Sequence, residues 1–225
     1  MFLDWSYILV LIGVVITIAA QVNVSGAFNR YSKVLSSRGL TAESAAMMIL
    51  QNAGINDVRI ERIGGKLTDH YSPGEKVLRL SESVYGKTSV AAIGVAAHEC
   101  GHAIQHQVGY GPLKLRSASV PMARIGSYIS WPLILIGLIF GVSSIADIGV
   151  ILFAFVVIFQ LITLPVEFNA STRALKILEG SSILPGSELE GAAKVLKAAA
   201  LTYVAALLTS VLQLLRLISI VSRRN

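Results

Sequence analysis

Two histidines four residues apart, with a glutamate directly after the first, stand at His98-Glu99-Cys100-Gly101-His102. On a helix, where successive residues turn by about 100°, His98 and His102 lie about 40° apart around the axis and one turn apart along it. Both imidazoles then reach one metal ion. Glu99 falls roughly a quarter to a third of a turn away, close enough to touch a water beside the ion without becoming a ligand. Zinc held by three protein groups with a fourth position open is the hydrolytic arrangement. It drops the pKa of water toward about 7, and the carboxylate takes the proton as that water attacks a carbonyl. Chance is the plain alternative for a five-residue pattern. Against it stands Val90-Ala91-Ala92-Ile93-Gly94-Val95-Ala96-Ala97, apolar on every face, which makes this a buried helix. Two histidines and a glutamate inside such a helix need partners, because unpaired buried charge is expensive.

Three side chains compete to be the third ligand. His106 continues the series 98, 102, 106, but ligands spread over two turns span about 12 Å and cannot all approach one ion. Positions 105 and 108 are Gln and Val, so the longer histidine motif of the metzincins is missing. Cys100 points to the opposite helix face from His98 and reads as packing. Glu167 is the strongest candidate. It closes an uncharged run in Leu164-Pro165-Val166-Glu167-Phe168-Asn169-Ala170-Ser171, and a carboxylate so near a membrane span wants a reason. Its bland alternative is an interfacial charge at a helix end.

The elements that carry these groups follow from composition. Of 225 residues, 54% are hydrophobic and only 14% charged, against about 25% charged in soluble domains. Four uncharged runs result: 5–29, 125–146, 148–166 and 198–215. An ordinary soluble domain and a disordered chain are excluded, and the single cysteine excludes a disulfide scaffold. The reading is one integrated membrane domain, mainly α, with about four transmembrane helices at 5–24, 125–145, 148–166 and 198–220. These surround a small α+β zincin-like region containing a short β-hairpin or sheet. The first run is expected to be an uncleaved anchor, since the chain turns basic only after it.

The net charge of +6 is distributed unevenly. Arg30, Lys33, Arg38, Lys114, Arg116, Arg124, Arg173, Lys176, Lys194 and Lys197 flank the runs on one side, while Asp4 and Asp147 lie on the other. That positive-inside pattern places 25–124 and 167–197 in the cytoplasm and argues for a bilayer, not nucleic acid, as partner. Arg223 and Arg224 break the rule if the last helix spans fully.

Within the polar regions, residues 41–53 read as a helix with Thr41 as N-cap and Gly54 past its end. Val58 to Ile63 alternates as a half-buried strand, Gly64-Gly65 supplies a turn, and Val77 to Leu80 reads as a second strand. A helix is expected from Ser89 to about Val108. The membrane hairpin turns around Gly141 to Gly149, and Ser187-Glu188-Leu189-Glu190 reads as a capping box opening the last helix.

His98-Glu99-Cys100-Gly101-His102-Ala103, a membrane hairpin, then Glu167-Phe168-Asn169-Ala170 together resemble the gluzincin membrane metallopeptidases, such as the bacterial heat-shock membrane protease and the CAAX prenyl protease. More closely, Thr68-Asp69-His70-Tyr71, Val77-Leu78-Arg79-Leu80-Ser81 and the 91–105 helix resemble the YugP-like family of neutral zinc metallopeptidases, over about 22–200. The resemblance implies zinc at His98, His102 and Glu167, with Glu99 as general base. Ser171 stands where the heat-shock relatives carry Asp to support a ligand.

Further catalytic candidates are Arg173, as an oxyanion partner, and His70 or Tyr71 in a loop between the strands. Strand 77–81 is expected to offer its edge to an extended peptide. The leading function is a zinc-dependent endopeptidase of the cell membrane, acting at the cytoplasmic surface on membrane-proximal peptide or protein segments. A non-catalytic scaffold with a structural metal is the alternative, and an intact Glu99 argues against it. A metal carrier fails because both histidines lie between spans.

Overall fold

The computed structural model describes residues 6–222; Asp4, Trp5, Arg223 and Arg224 lie outside them. The described residues form α1 (Ser6–Tyr31), α2 (Ala42–Asn52), β1 (Arg59–Ile63), β2 (His70–Ser72), β3 (Val77–Ser81), α3 (Val90–Gln107), α4 (Gly111–Phe140), α5 (Ser143–Gly180) and α6 (Ser187–Ser222). The fold is mainly α with one small sheet. Among the described residues, α1, α4, α5 and α6 are long and apolar enough to cross a membrane. Contacts divide the described residues into two compact units, one of 6–21, 114–165 and 201–222, the other of 22–113 and 166–200.

The first unit packs through small residues, as membrane helices do where backbones must approach closely. A Cβ on Gly13 would meet Thr209 Cγ2 at 2.9 Å, and the hydroxyls of Thr17 and Thr209 lie 3.1 Å apart. Between α4 and α5, a Cβ on Gly126 would meet the Leu152 carbonyl oxygen at 2.6 Å, and one on Gly149 the Ser130 oxygen at 2.8 Å. The turn joining these helices is only Gly141-Val142, with Gly141 at φ +70°. Gly149, read as part of that turn, is a packing position inside α5.

The second unit holds the chemistry-bearing residues. Thr41 caps α2 by accepting from the Ser44 N–H, and Gly54 follows it at φ +70°. Ser89 caps α3 by accepting from the Ala92 N–H. Leu78 and Leu80 of β3, Ile49 of α2, Ile93 of α3 and Leu178 of α5 share one core. α3 is buried on nearly every face, as its apolar first half requires.

Four expectations are corrected. The strand order is β1-β3-β2, with β1 parallel to β3 and β2 antiparallel to it. The hairpin therefore joins β2 to β3, and the two strands expected from alternation pair in parallel. β3 is the central strand and has no free edge, so an extended peptide cannot add to 77–81; β2 and β1 hold the edges. His70 and Tyr71 lie on β2, not in a loop. Ser187 is also the first residue of α6 instead of its cap: the Glu190 N–H donates to the Gly186 carbonyl, and Glu188 accepts from the Ser37 N–H.

Candidate metal centre

α3 presents His98 and His102 from one face, and α5 supplies Glu167 opposite them. α5 runs through Pro165 without ending and continues to Gly180. Glu167 is thus far from either helix end and only 1% exposed, which removes the helix-end reading of its charge. Glu167 Oε2 lies 3.3 Å from His98 Nε2 and 3.6 Å from His102 Nε2. Tetrahedral ligands at zinc bond lengths stand about 3.3 Å apart, so this spacing suits a shared ion. Among the described residues the three form one cluster able to hold a metal, their ligand atoms all within 4.8 Å.

The other ring nitrogens fix which atoms face inward. His102 Nδ1 lies 3.0 Å from Gln105 Oε1, and Gln105 Nε2 donates to the Val166 carbonyl at 2.8 Å and to Asn169 Oδ1 at 3.0 Å. With the amide nitrogen spent on two acceptors, its oxygen must accept, so His102 carries its proton on Nδ1. Its Nε2 lone pair then faces a carboxylate oxygen. His98 Nδ1 lies 3.0 Å from Ser171 Oγ, which leaves its Nε2 facing the same oxygen. Three electron-rich atoms converging in a buried space require a positive charge among them, and a divalent cation satisfies all three. Burial works against charging His102, but the Glu167 carboxylate, which accepts from Nε2 whenever that nitrogen is protonated, and the charge of Glu99 outweigh it and hold the imidazole above its ordinary pKa, so the site favours a positive charge at this point. The chemistry of the donor set fits zinc.

Glu99 follows His98 on α3 and is 7% exposed. Its carboxylate has no protein hydrogen-bond donor among the described residues, so both oxygens are available to another partner.

Residues 6–222 match the family described as "Putative neutral zinc metallopeptidase". The chain belongs to this family. It is also 48% identical over 201 residues, 89% of each chain, to a Bacillus subtilis (strain 168) protein named "Putative membrane protease YugP". No solved structure matches the chain.

Membership in this zinc metallopeptidase family gives the remaining candidates a frame. His106 is outside the cluster: its Nδ1 shares a 2.9 Å hydrogen bond with the Tyr71 hydroxyl. His70 is also outside it, its Nδ1 donating to the Thr68 carbonyl at 2.9 Å. Cys100 is fully buried with its thiol toward the Ala46 carbonyl, and burial pushes that thiol's pKa well up, as a packing residue's should be. Arg173 Nε donates to Asn169 Oδ1 at 2.7 Å, and its guanidinium lies 5.9 Å from the Tyr110 ring centre.

Sequence reasoning gave no role to Gln105, or to Asn169 and Asp69, which it named only within the motifs of the resemblance. The first two brace the ligands. Asp69 accepts from the Ser81 N–H at 2.7 Å and from its hydroxyl at 2.9 Å, tying β2 to β3, and burial raises its carboxyl pKa against those hydrogen bonds. Gln105 was legible in one respect. It lies three residues past His102 on the ligand face, where a wholly buried amide needs a polar partner.

Proposed function

We propose that the protein is a zinc-dependent endopeptidase of the cell membrane, hydrolysing peptide bonds in membrane-proximal segments at the cytoplasmic surface. The observation that carries this reading is the convergence of His98, His102 and Glu167 on one point with Glu99 beside them and unengaged. A purely structural metal would need the ligands but not the extra carboxylate.

Zinc held there supplies Lewis acidity toward a peptide carbonyl and acidifies water. The protein's own groups do the rest. Ser171 and Gln105 hold the two imidazoles with Nε2 inward. Glu99 takes a proton from the attacking water onto a carboxylate oxygen and delivers it to the nitrogen of the leaving amine. Arg173, braced by Asn169, is the proposed partner for the oxyanion of the tetrahedral intermediate. The free edge of β2 takes the peptide as an added antiparallel or parallel strand, the role β3 cannot fill. Basic residues flanking the apolar helices support the cytoplasmic orientation.

The test uses protein purified in detergent. One zinc per chain and cleavage of casein that stops with a chelator and returns with zinc are expected. Full cleavage in metal-free protein would overturn the proposal.

A further inference from the structure

We propose that Gln105 is the positioning residue that sets the zinc affinity of this centre, an inference that rests on the metal reading above. Gln105 is fully buried, and a buried amide is tolerated only when its groups are bonded. Here each group is bonded to something that bears on the ligands. Oε1 accepts from His102 Nδ1 at 3.0 Å, and Nε2 donates to the Val166 carbonyl at 2.8 Å and to Asn169 Oδ1 at 3.0 Å.

Two consequences follow. Rotating the amide by half a turn would aim its oxygen at two acceptors and lose both bonds, so its orientation is locked. The lock holds His102 in the one tautomer whose Nε2 lone pair points at Glu167. The second consequence concerns spacing. Val166 directly precedes Glu167 on α5, while Gln105 lies one turn beyond His102 on α3. One side chain therefore ties the helix of the histidine ligands to the residue beside the acid ligand, and so holds the 3.6 Å between His102 Nε2 and Glu167 Oε2. A leucine or methionine could fill the same space and do neither.

The experiment measures the zinc dissociation constant of detergent-purified protein by competition with a chromophoric chelator, alongside the thermal midpoint of the metal-free form. Gln105→Met removes the acceptor opposite His102 and should weaken zinc by roughly 10–100-fold, the usual effect of losing such a partner. Gln105→Glu keeps the acceptor opposite His102 but sets its second oxygen against the Val166 carbonyl and Asn169 Oδ1, so it loses only the tie to α5 and should weaken zinc less than Gln105→Met does. A packing role gives the reverse order, since methionine suits a buried apolar space better than a carboxylate, and it acts on the thermal midpoint while leaving affinity alone. If Gln105→Met does not fold, Gln105→Glu decides: wild-type zinc affinity there, with both donor bonds gone, overturns the proposal. Wild-type affinity in Gln105→Met overturns it as well, leaving the metal site intact. If the wild type itself takes up no zinc, the metal reading falls and this inference with it.

Discussion

Gly101 of α3 lies so close to Ala170 of α5 that a Cβ built on it would sit 2.5 Å from the Ala170 carbonyl oxygen. Because the obstacle is backbone, no side-chain rotation relieves it. The glycine between the two histidine ligands is what lets their helix reach the helix of Glu167. Gly101→Ala should push α5 away, costing about 1–3 kcal/mol as overpacking does and pulling Glu167 off the shared point. A lowered thermal midpoint together with reduced zinc content is expected. A variant as stable and as zinc-loaded as the wild type would show that the helices can slide apart without disturbing the site.

That contact also marks where the sequence stops being readable. The helical spacing of His98 and His102 and the uncharged runs are local signals, and α3 and the four apolar helices follow them. Glu167 stood out because a carboxylate beside an apolar run is costly. The sheet was harder. β2 is three residues long, too short for alternation to register, and parallel pairing of β1 with β3 is decided by what packs on each face. Gln105 braces its ligand only because α3 and α5 meet at Gly101, and nothing within either helix announces that meeting; Ser171 was legible only through the resemblance, as the position where the heat-shock relatives carry Asp.

Cys100 should be inert in the folded protein. Its thiol is buried, and burial raises its pKa far above the ordinary thiol range, so almost no thiolate forms at pH 8. Iodoacetamide should leave it unmodified until denaturant is added, as read by intact mass. Rapid labelling of native protein would mean that α3 opens. Cys100→Ala should retain zinc.

His106→Ala should also keep its zinc. The imidazole is bonded to the Tyr71 hydroxyl at 2.9 Å and stands one turn beyond the ligand pair. Tyr71→Phe removes the same bond from the β2 side, so the two variants should behave alike, with zinc content unchanged by elemental analysis. Loss of metal in His106→Ala alone would place that histidine in the ligand set.

Ser171→Ala tests the support of His98. Its hydroxyl lies 3.0 Å from His98 Nδ1, and its removal should weaken zinc by roughly 10-fold or more through loss of ring orientation. Ser171→Asp places a stronger acceptor there and should restore or tighten binding. Equal affinity in all three proteins would show that packing alone orients His98.

The two glutamates separate ligand from base within one reaction. Glu99→Gln keeps the side-chain shape but cannot take a proton. Zinc should stay bound while turnover falls by roughly 10²–10⁴-fold, the usual contribution of a general base. Glu167 faces both histidines through one oxygen, at 3.3 and 3.6 Å. In Glu167→Gln the anionic ligand becomes a weakly donating amide inside a buried site, so zinc should escape and activity should go with it. Metal content by mass spectrometry on both variants, with casein cleavage on the same samples, gives the comparison. Full zinc in Glu167→Gln would put the third ligand elsewhere. Wild-type turnover in Glu99→Gln would remove the general base from the mechanism, and with it the reason to read this centre as hydrolytic.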